Sequence, residues 1–193
     1  MEKEQLEKAL RGYYRTGCFH IYLAGFFDPE FSKLSRADLG TFLHEYVHFL
    51  QNISTPYGIF EAVALNEAAV EAFMDLEPKK EIELPYNAPQ SPMLKERLKW
   101  LNDMDGQSIK KSDEHIVIDE TKKILWGYTE RPDSNRAGYV VALEFYDKQG
   151  QTHHRLIGAR DIKEAMATAY QSLIDPDAIH PDIPYNLLRI FCK

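Results

Sequence analysis

The sequence predicts an α+β domain, and three of its features do so. Long segments with helical spacing bracket a few short runs rich in aromatic and β-branched residues. One of those runs, YVVALEFYD at 139–147, is followed by Lys148, Gln149 and Gly150, a turn that can return the chain as QTHHRLI in an antiparallel hairpin. No repeat, linker or low-complexity tract divides the chain, and 193 residues are enough to bury one self-sufficient core without disulfides. A single domain over residues 1–193 follows, with packed helices and a small, mainly antiparallel sheet.

Residues 2–12 have the pattern of a short charged helix, and Gly17 separates it from CFHIYLAGFF at 18–27, whose composition suits a strand. Ser35 followed by Asp38 forms a capping box, so a helix should begin near Arg36 and run to the break at Ser54, Thr55 and Pro56. A second, Ala-rich helix over 57–76 is long enough to pack against it. The charged, proline-bearing stretch 77–92 reads as a loop, after which MLKERLKWLNDM resumes helical spacing. HIVID at 115–119 predicts a strand, Gly158 ends the hairpin, and a last long helix should cover about 159–173 before a proline-rich tail.

Composition narrows the function. The 30 acidic residues exceed the 23 basic ones, for a net charge of -7, which disfavours nucleic acid or an anionic membrane surface as partner. The start MEKEQLEKALRGYY places charges where a signal peptide needs its apolar core, and no apolar run approaches the roughly 20 residues that span a bilayer, so a cytoplasmic protein is expected. Cys18 and Cys192 have no CxxC partner, which predicts reduced thiols and neither a zinc knuckle nor a disulfide framework.

The chemistry-bearing segment is TFLHEYVHFLQ at 41–51, an HExxH motif on the first long helix. Residues four apart share a helical face, so His44 and His48 can aim two imidazoles at one tetrahedral Zn2+ while Glu45 reaches the water that the metal activates. Glu45 is thereby the candidate general base of a hydrolase. The helix carries apolar residues on most other sides (Leu39, Phe42, Leu43, Tyr46, Val47, Phe49, Leu50), which predicts burial, and buried His and Glu require partners. A core helix whose histidines bond to backbone is the bland alternative.

The segment resembles the HExxH zinc metallopeptidases, the zincins, and HEYVHFLQNISTPYG looks particularly like uncharacterised bacterial proteins of that group. The likeness covers residues 40–58 and about 157–168. It implies a zincin-like metallohydrolase domain that cleaves a peptide or protein substrate, and relatives that extend beyond residue 193, which leaves room for truncation within the apolar pattern of HPDIPYNLLRIFCK. The metzincin extension is excluded, because Gln51 and Ser54 stand where that branch needs Gly and His.

A downstream glutamate is therefore implied as third ligand, as in the gluzincins. Glu67 follows His48 after 18 residues (49–66), with Glu71 one turn on, and it lines up with Ile59, Phe60, Val63, Val70 and Met74, which predicts an inward face. Glu164, within GARDIKEAMA, resembles the glutamate followed by small residues with which gluzincin helices meet the metal; the resemblance favours it, with His153 or His154 as further alternatives. His153, His154, Tyr139 and Tyr170 could each supply an oxyanion donor, although adjacent histidines on a strand point to opposite faces. Asp161 and Thr41, one turn before Glu164 and His44, are candidate supports for those ligands. The resemblance also places an extended substrate against the strand at 18–27. Two rival readings stay open: a zincin scaffold that binds without turnover, and a toxin-type protease with one protein target.

Overall fold

The computed structural model describes residues 12–16, 19–24, 28–79, 81, 86–108, 110, 113, 115–120, 122, 124–130, 139–186 and 189. The fold is α+β. Strand β1 (Gly12–Arg15) pairs antiparallel with β2 (His20–Leu23), and Tyr13 faces Tyr22 across the pair with ring centroids 4.9 Å apart. A strand at Gly12 corrects the helix expected to reach residue 12, because cross-strand aromatic pairing outweighs a helical spacing. Residues 2–11 of that helix, together with Cys18 and Cys192, lie outside the described residues.

Helix α1 (Arg36–Ser54) begins where Ser35 Oγ accepts a bond from Asp38 N at 3.1 Å. It stops at Thr55, whose own hydroxyl caps helix α2 (Pro56–Leu76) by accepting from Gly58 N at 3.0 Å. The elbow is so tight that a Cβ on Gly58 would stand 2.3 Å from Asn52 Cα, so only glycine fits. Helix α3 (Pro92–Met104) is capped by Ser91. Helix α2 buries Gly58 and Ala64, its small face, whereas Ile59, Val63, Val70 and Met74 are exposed. This corrects the inward face expected around Glu67: small residues allow close helix approach, and the larger ones are left outside.

Strands β3 (Leu125–Glu130), β4 (Tyr139–Tyr146) and β5 (Thr152–Ile157) form an antiparallel sheet in the order β3-β4-β5. The β4–β5 hairpin turns at Gly150, whose φ of 85° suits glycine. The strand expected at 115–119 is reduced to one bridge, Ile118 to Asp147, because Ile118 turns into the core. Sheet pairing falls instead to LWGYTE, where Gly127 and the exposed Trp126 and Tyr128 obscure the alternation. The apolar core lies on one face of the sheet: Leu143 and Phe145 of β4 meet Ile118 and Ile183, the last from a wide turn at Asp182–Asn186.

Helix α4 (Ala159–Ile174) crosses α1, with Ala167 fully buried. Its first turn is fixed by a buried ion pair. Arg155 of β5 donates from Nε and Nη2 to Asp161 Oδ1 at 2.9 and 2.7 Å, and Asp161 Oδ2 accepts from Gly158 N at 3.1 Å. Asp161 thus clamps the start of the helix to the sheet, a role other than the support of Glu164 expected for it. Replacing Asp161 with Ala leaves the buried Arg155 with Asp113 Oδ2, 3.7 Å from Nη1, as its remaining carboxylate, so chemical denaturation should show a loss of up to about 3–5 kcal/mol. A loss below about 1 kcal/mol would mean that the pair does not organise this end of the helix.

Candidate metal centre

Four-residue spacing on α1 stacks His44 over His48, and α4 brings Glu164 against both. His44 Nε2 and His48 Nε2 are 3.2 Å apart, and each lies 3.4 Å from Glu164 Oε2. Both histidines are buried, at 8% exposure each, and Glu164 is partly buried. This cluster could hold a metal ion.

Hydrogen bonding defines what His48 presents. Gln51 Nε2 donates to the carbonyl of Lys163 at 3.2 Å, which turns Gln51 Oε1 towards His48 Nδ1 at 3.0 Å. A carbonyl oxygen can only accept, so neutral His48 carries its proton on Nδ1 and offers the Nε2 lone pair to the cluster. With two ring nitrogens and a carboxylate oxygen so close together, a proton or a metal cation among them relieves the repulsion. His44 Nδ1 has no partner among the described residues.

The electrostatics have the same origin. Burial pushes the His48 pKa down, but the hydrogen bond and charge of Glu164 raise it more, so its net shift is upward from 6.5. Burial pushes Glu164 up, and the two imidazoles outweigh it, holding the carboxyl down to about 2. Glu45, 7% exposed, is raised from 4.5 chiefly by burial, against the lowering effect of His44, His48 and a bond from the Tyr14 backbone. Strand β1 thus reaches the carboxyl of Glu45 through its main chain.

The structure brings Glu164, and not Glu67, to the two histidines. Glu67 pairs with Arg97 of α3, and Glu71 accepts from Ser91 N at 2.8 Å. His153 bonds to Asp147 at 2.8 Å and stacks on Phe145, while His154 is exposed beside Glu144; both are engaged on the sheet. Tyr170 is half exposed, the Tyr139 side chain lies outside the described residues, and Thr41 donates to the Ala37 carbonyl. None of these four described groups is a partner of the cluster in the way expected.

The burial expected for α1 is met in part: Val47 is buried and Leu39, Phe42, Leu43 and Phe49 are partly buried, while Tyr46 and Leu50 are exposed. Most of its buried face is polar, made of Thr41, His44, Glu45, His48, Gln51 and Asn52. The sequence reading missed Gln51, three residues beyond His48 and hence on its face, and it missed His180 and Tyr185. The ring of His180 lies 6.3 Å from that of His44 at 18°, and Tyr185 lies 5.4 Å from His180. Their segment, HPDIPY, carries no periodic signal that would place it at the site.

No protein-family model, curated protein or solved structure matches this chain.

In the metal-free protein the raised His48 stabilises fully below its unfolded pKa of 6.5, and that contribution is lost as pH rises through the folded value. The lowered Glu164 contributes above 4.5 and loses its contribution as pH falls towards about 2. Both therefore act together between pH 4.5 and 6.5. Glu164→Gln removes the largest raising influence, so the His48 midpoint followed by NMR should fall below its wild-type value. An unchanged midpoint would contradict the pairing.

Proposed function

We propose that this chain is a zinc-dependent hydrolase of zincin type, gluzincin-like in using Glu164, which cleaves a peptide or another amide bond. One observation carries the reading: the 3.2, 3.4 and 3.4 Å triangle of His44 Nε2, His48 Nε2 and Glu164 Oε2. Ligands about 2.0–2.2 Å from a tetrahedral ion are separated by about 3.3–3.6 Å, so the triangle has the edge lengths of one tetrahedral face. Its nitrogen and oxygen donors suit zinc, and three protein ligands leave a position open.

Zinc, when bound there, supplies Lewis acidity that acidifies water and polarises a carbonyl. The remaining work belongs to the chain. Gln51 fixes the His48 ring, and the carbonyl of Lys163 fixes Gln51. Glu45 is adjacent to His44 in sequence, is no member of the triangle, and has a carboxyl whose pKa burial raises above its ordinary value. It can therefore accept a proton from water on its carboxylate and return it to the leaving nitrogen.

Elemental analysis should find close to one zinc per chain, lost in His44→Ala and in His48→Ala. Glu45→Gln should keep the zinc and lower peptide hydrolysis by about 10²–10⁴-fold, the usual contribution of a general base. Stoichiometric zinc in both histidine variants, or an undiminished rate in Glu45→Gln, would refute the assignment. Zinc without turnover of any peptide in a mixed library would favour a binding module on the same scaffold, or a protease confined to one protein.

A further inference from the structure

Each histidine of the cluster has a second ring nitrogen, and the two are treated differently. His48 Nδ1 meets Gln51, whereas His44 Nδ1 is buried with no hydrogen-bond partner among the described residues. The same holds for Thr168 Oγ1, one turn beyond Glu164 on α4, on a residue only 4% exposed. We propose that His44 Nδ1, Thr168 Oγ1 and His180 Nε2 together bind one buried water, which fixes His44 in the tautomer that offers Nε2 to the metal. The inference rests on the zinc-site reading and extends it to the groups that position His44.

The packing of α1 on α4 puts these atoms at one level. At one end of the contact Gln51 donates to the carbonyl of Lys163; next, His48 and His44 meet Glu164; further on, a Cβ on Gly40 would stand 3.3 Å from Gln171 Cγ. Thr168 lies between Glu164 and Gln171 on the buried face of α4, and His44 lies between His48 and Gly40 on that of α1, so they face one another. The ring of His180 lies alongside, 6.3 Å from that of His44 at 18°, with its Nε2 buried. A direct N–H···N bond holds two imidazole centroids roughly 5 Å apart, and a bridge through one water reaches to about 7 Å. The observed separation is that of the bridge.

The donor and acceptor set suits water. When His44 coordinates through Nε2, its Nδ1 carries the proton and must donate it, while a hydroxyl oxygen and a second imidazole nitrogen can each accept. Water accepts one bond and donates two, and so satisfies all three groups, the usual number for a buried water. A cavity of about 370 Å³, with Ala37, Gln171, Asp175 and His180 in its wall, opens at this end of the interface and gives water a route. Without an acceptor, the buried Nδ1–H is costly and His44 shifts to the tautomer whose Nε2 is protonated and cannot take a metal. Thr168 and His180 are therefore positioning residues, and they do for His44 what Gln51 does for His48.

The test measures zinc affinity of the full chain by competition with a chromogenic chelator, and the His44 Nδ1–H resonance of the zinc-loaded protein by heteronuclear NMR. Thr168→Val keeps the side-chain shape and removes the hydroxyl; His180→Phe keeps a ring and removes the nitrogen. Each should weaken zinc binding by about 10–100-fold, the usual effect of losing an outer partner of a ligand, while Thr168→Ser stays within about twofold of the wild type. The resonance should persist in Thr168→Ser and be lost to solvent exchange in the other two. A side chain that only fills space would be replaced better by Val than by Ser, the opposite order. Wild-type zinc affinity in Thr168→Val or in His180→Phe, or an equal loss in Thr168→Ser, overturns the proposal, and if one of the first two variants fails to fold the other decides it. A wild-type chain that binds no zinc overturns the metal reading as well, and that failure is distinct because it appears before any substitution.

Discussion

The buried contact between Arg155 and Asp161 is the constraint on which the site geometry depends. Arg155 is 3% exposed and Asp161 fully buried, so neither charge has access to water as an alternative partner. Arg155 also donates to the Gln107 carbonyl at 3.2 Å, which ties the end of α3 to β5 and to α4 at one point. Gly158 and Gly106 make the same junction close, since a Cβ on Gly158 would stand 2.1 Å from Gly106 N. Desolvation offsets much of what such a pair contributes to stability. Its effect is directional: it sets where α4 starts, and Glu164 lies three residues beyond Asp161 on the same side of the helix.

An apolar cluster covers one face of the β3–β5 sheet, whereas α1 and α4 bury the polar His44, His48, Gln51 and Asn52, with Lys163 partly buried, beside Val47 and Ala167. Polar groups of that kind cost several kcal/mol each if left without partners. Here Gln51 spans from His48 to the backbone of Lys163, and Lys163 Nζ reaches back to Asn52, so two bonds tie the residue beside Glu164 to α1. The interface that carries the cluster is thereby cross-linked next to it.

The limits of α1 and the face shared by His44 and His48 were legible because they depend on local rules, a cap at Ser35 and a four-residue repeat. Glu164 was favoured over Glu67 by resemblance and by the small residues around it, and not by any local spacing rule. The choice between them is tertiary: Arg97 on α3 engages Glu67, and nothing in the spacing of α2 announces that partner. Apolar residues on most sides of α1 announced its burial, but not that its most buried face is polar, because which side meets α4 is decided by tertiary packing. His180, Tyr185 and Lys163 were passed over because their contacts with the cluster and with α1 arise where distant segments meet.

Burial and charge together assign the two carboxyls of the site. Glu45 and Glu164 both lose water, and desolvation alone would raise both. Glu164 is drawn down to about 2 because it takes direct bonds from His44 and His48, which outweigh its burial. Glu45 feels those histidines only through space, and burial keeps its pKa raised. One position along the helix from His44, burial lifts a carboxyl; across the interface, against two imidazoles, direct bonds hold the same group down.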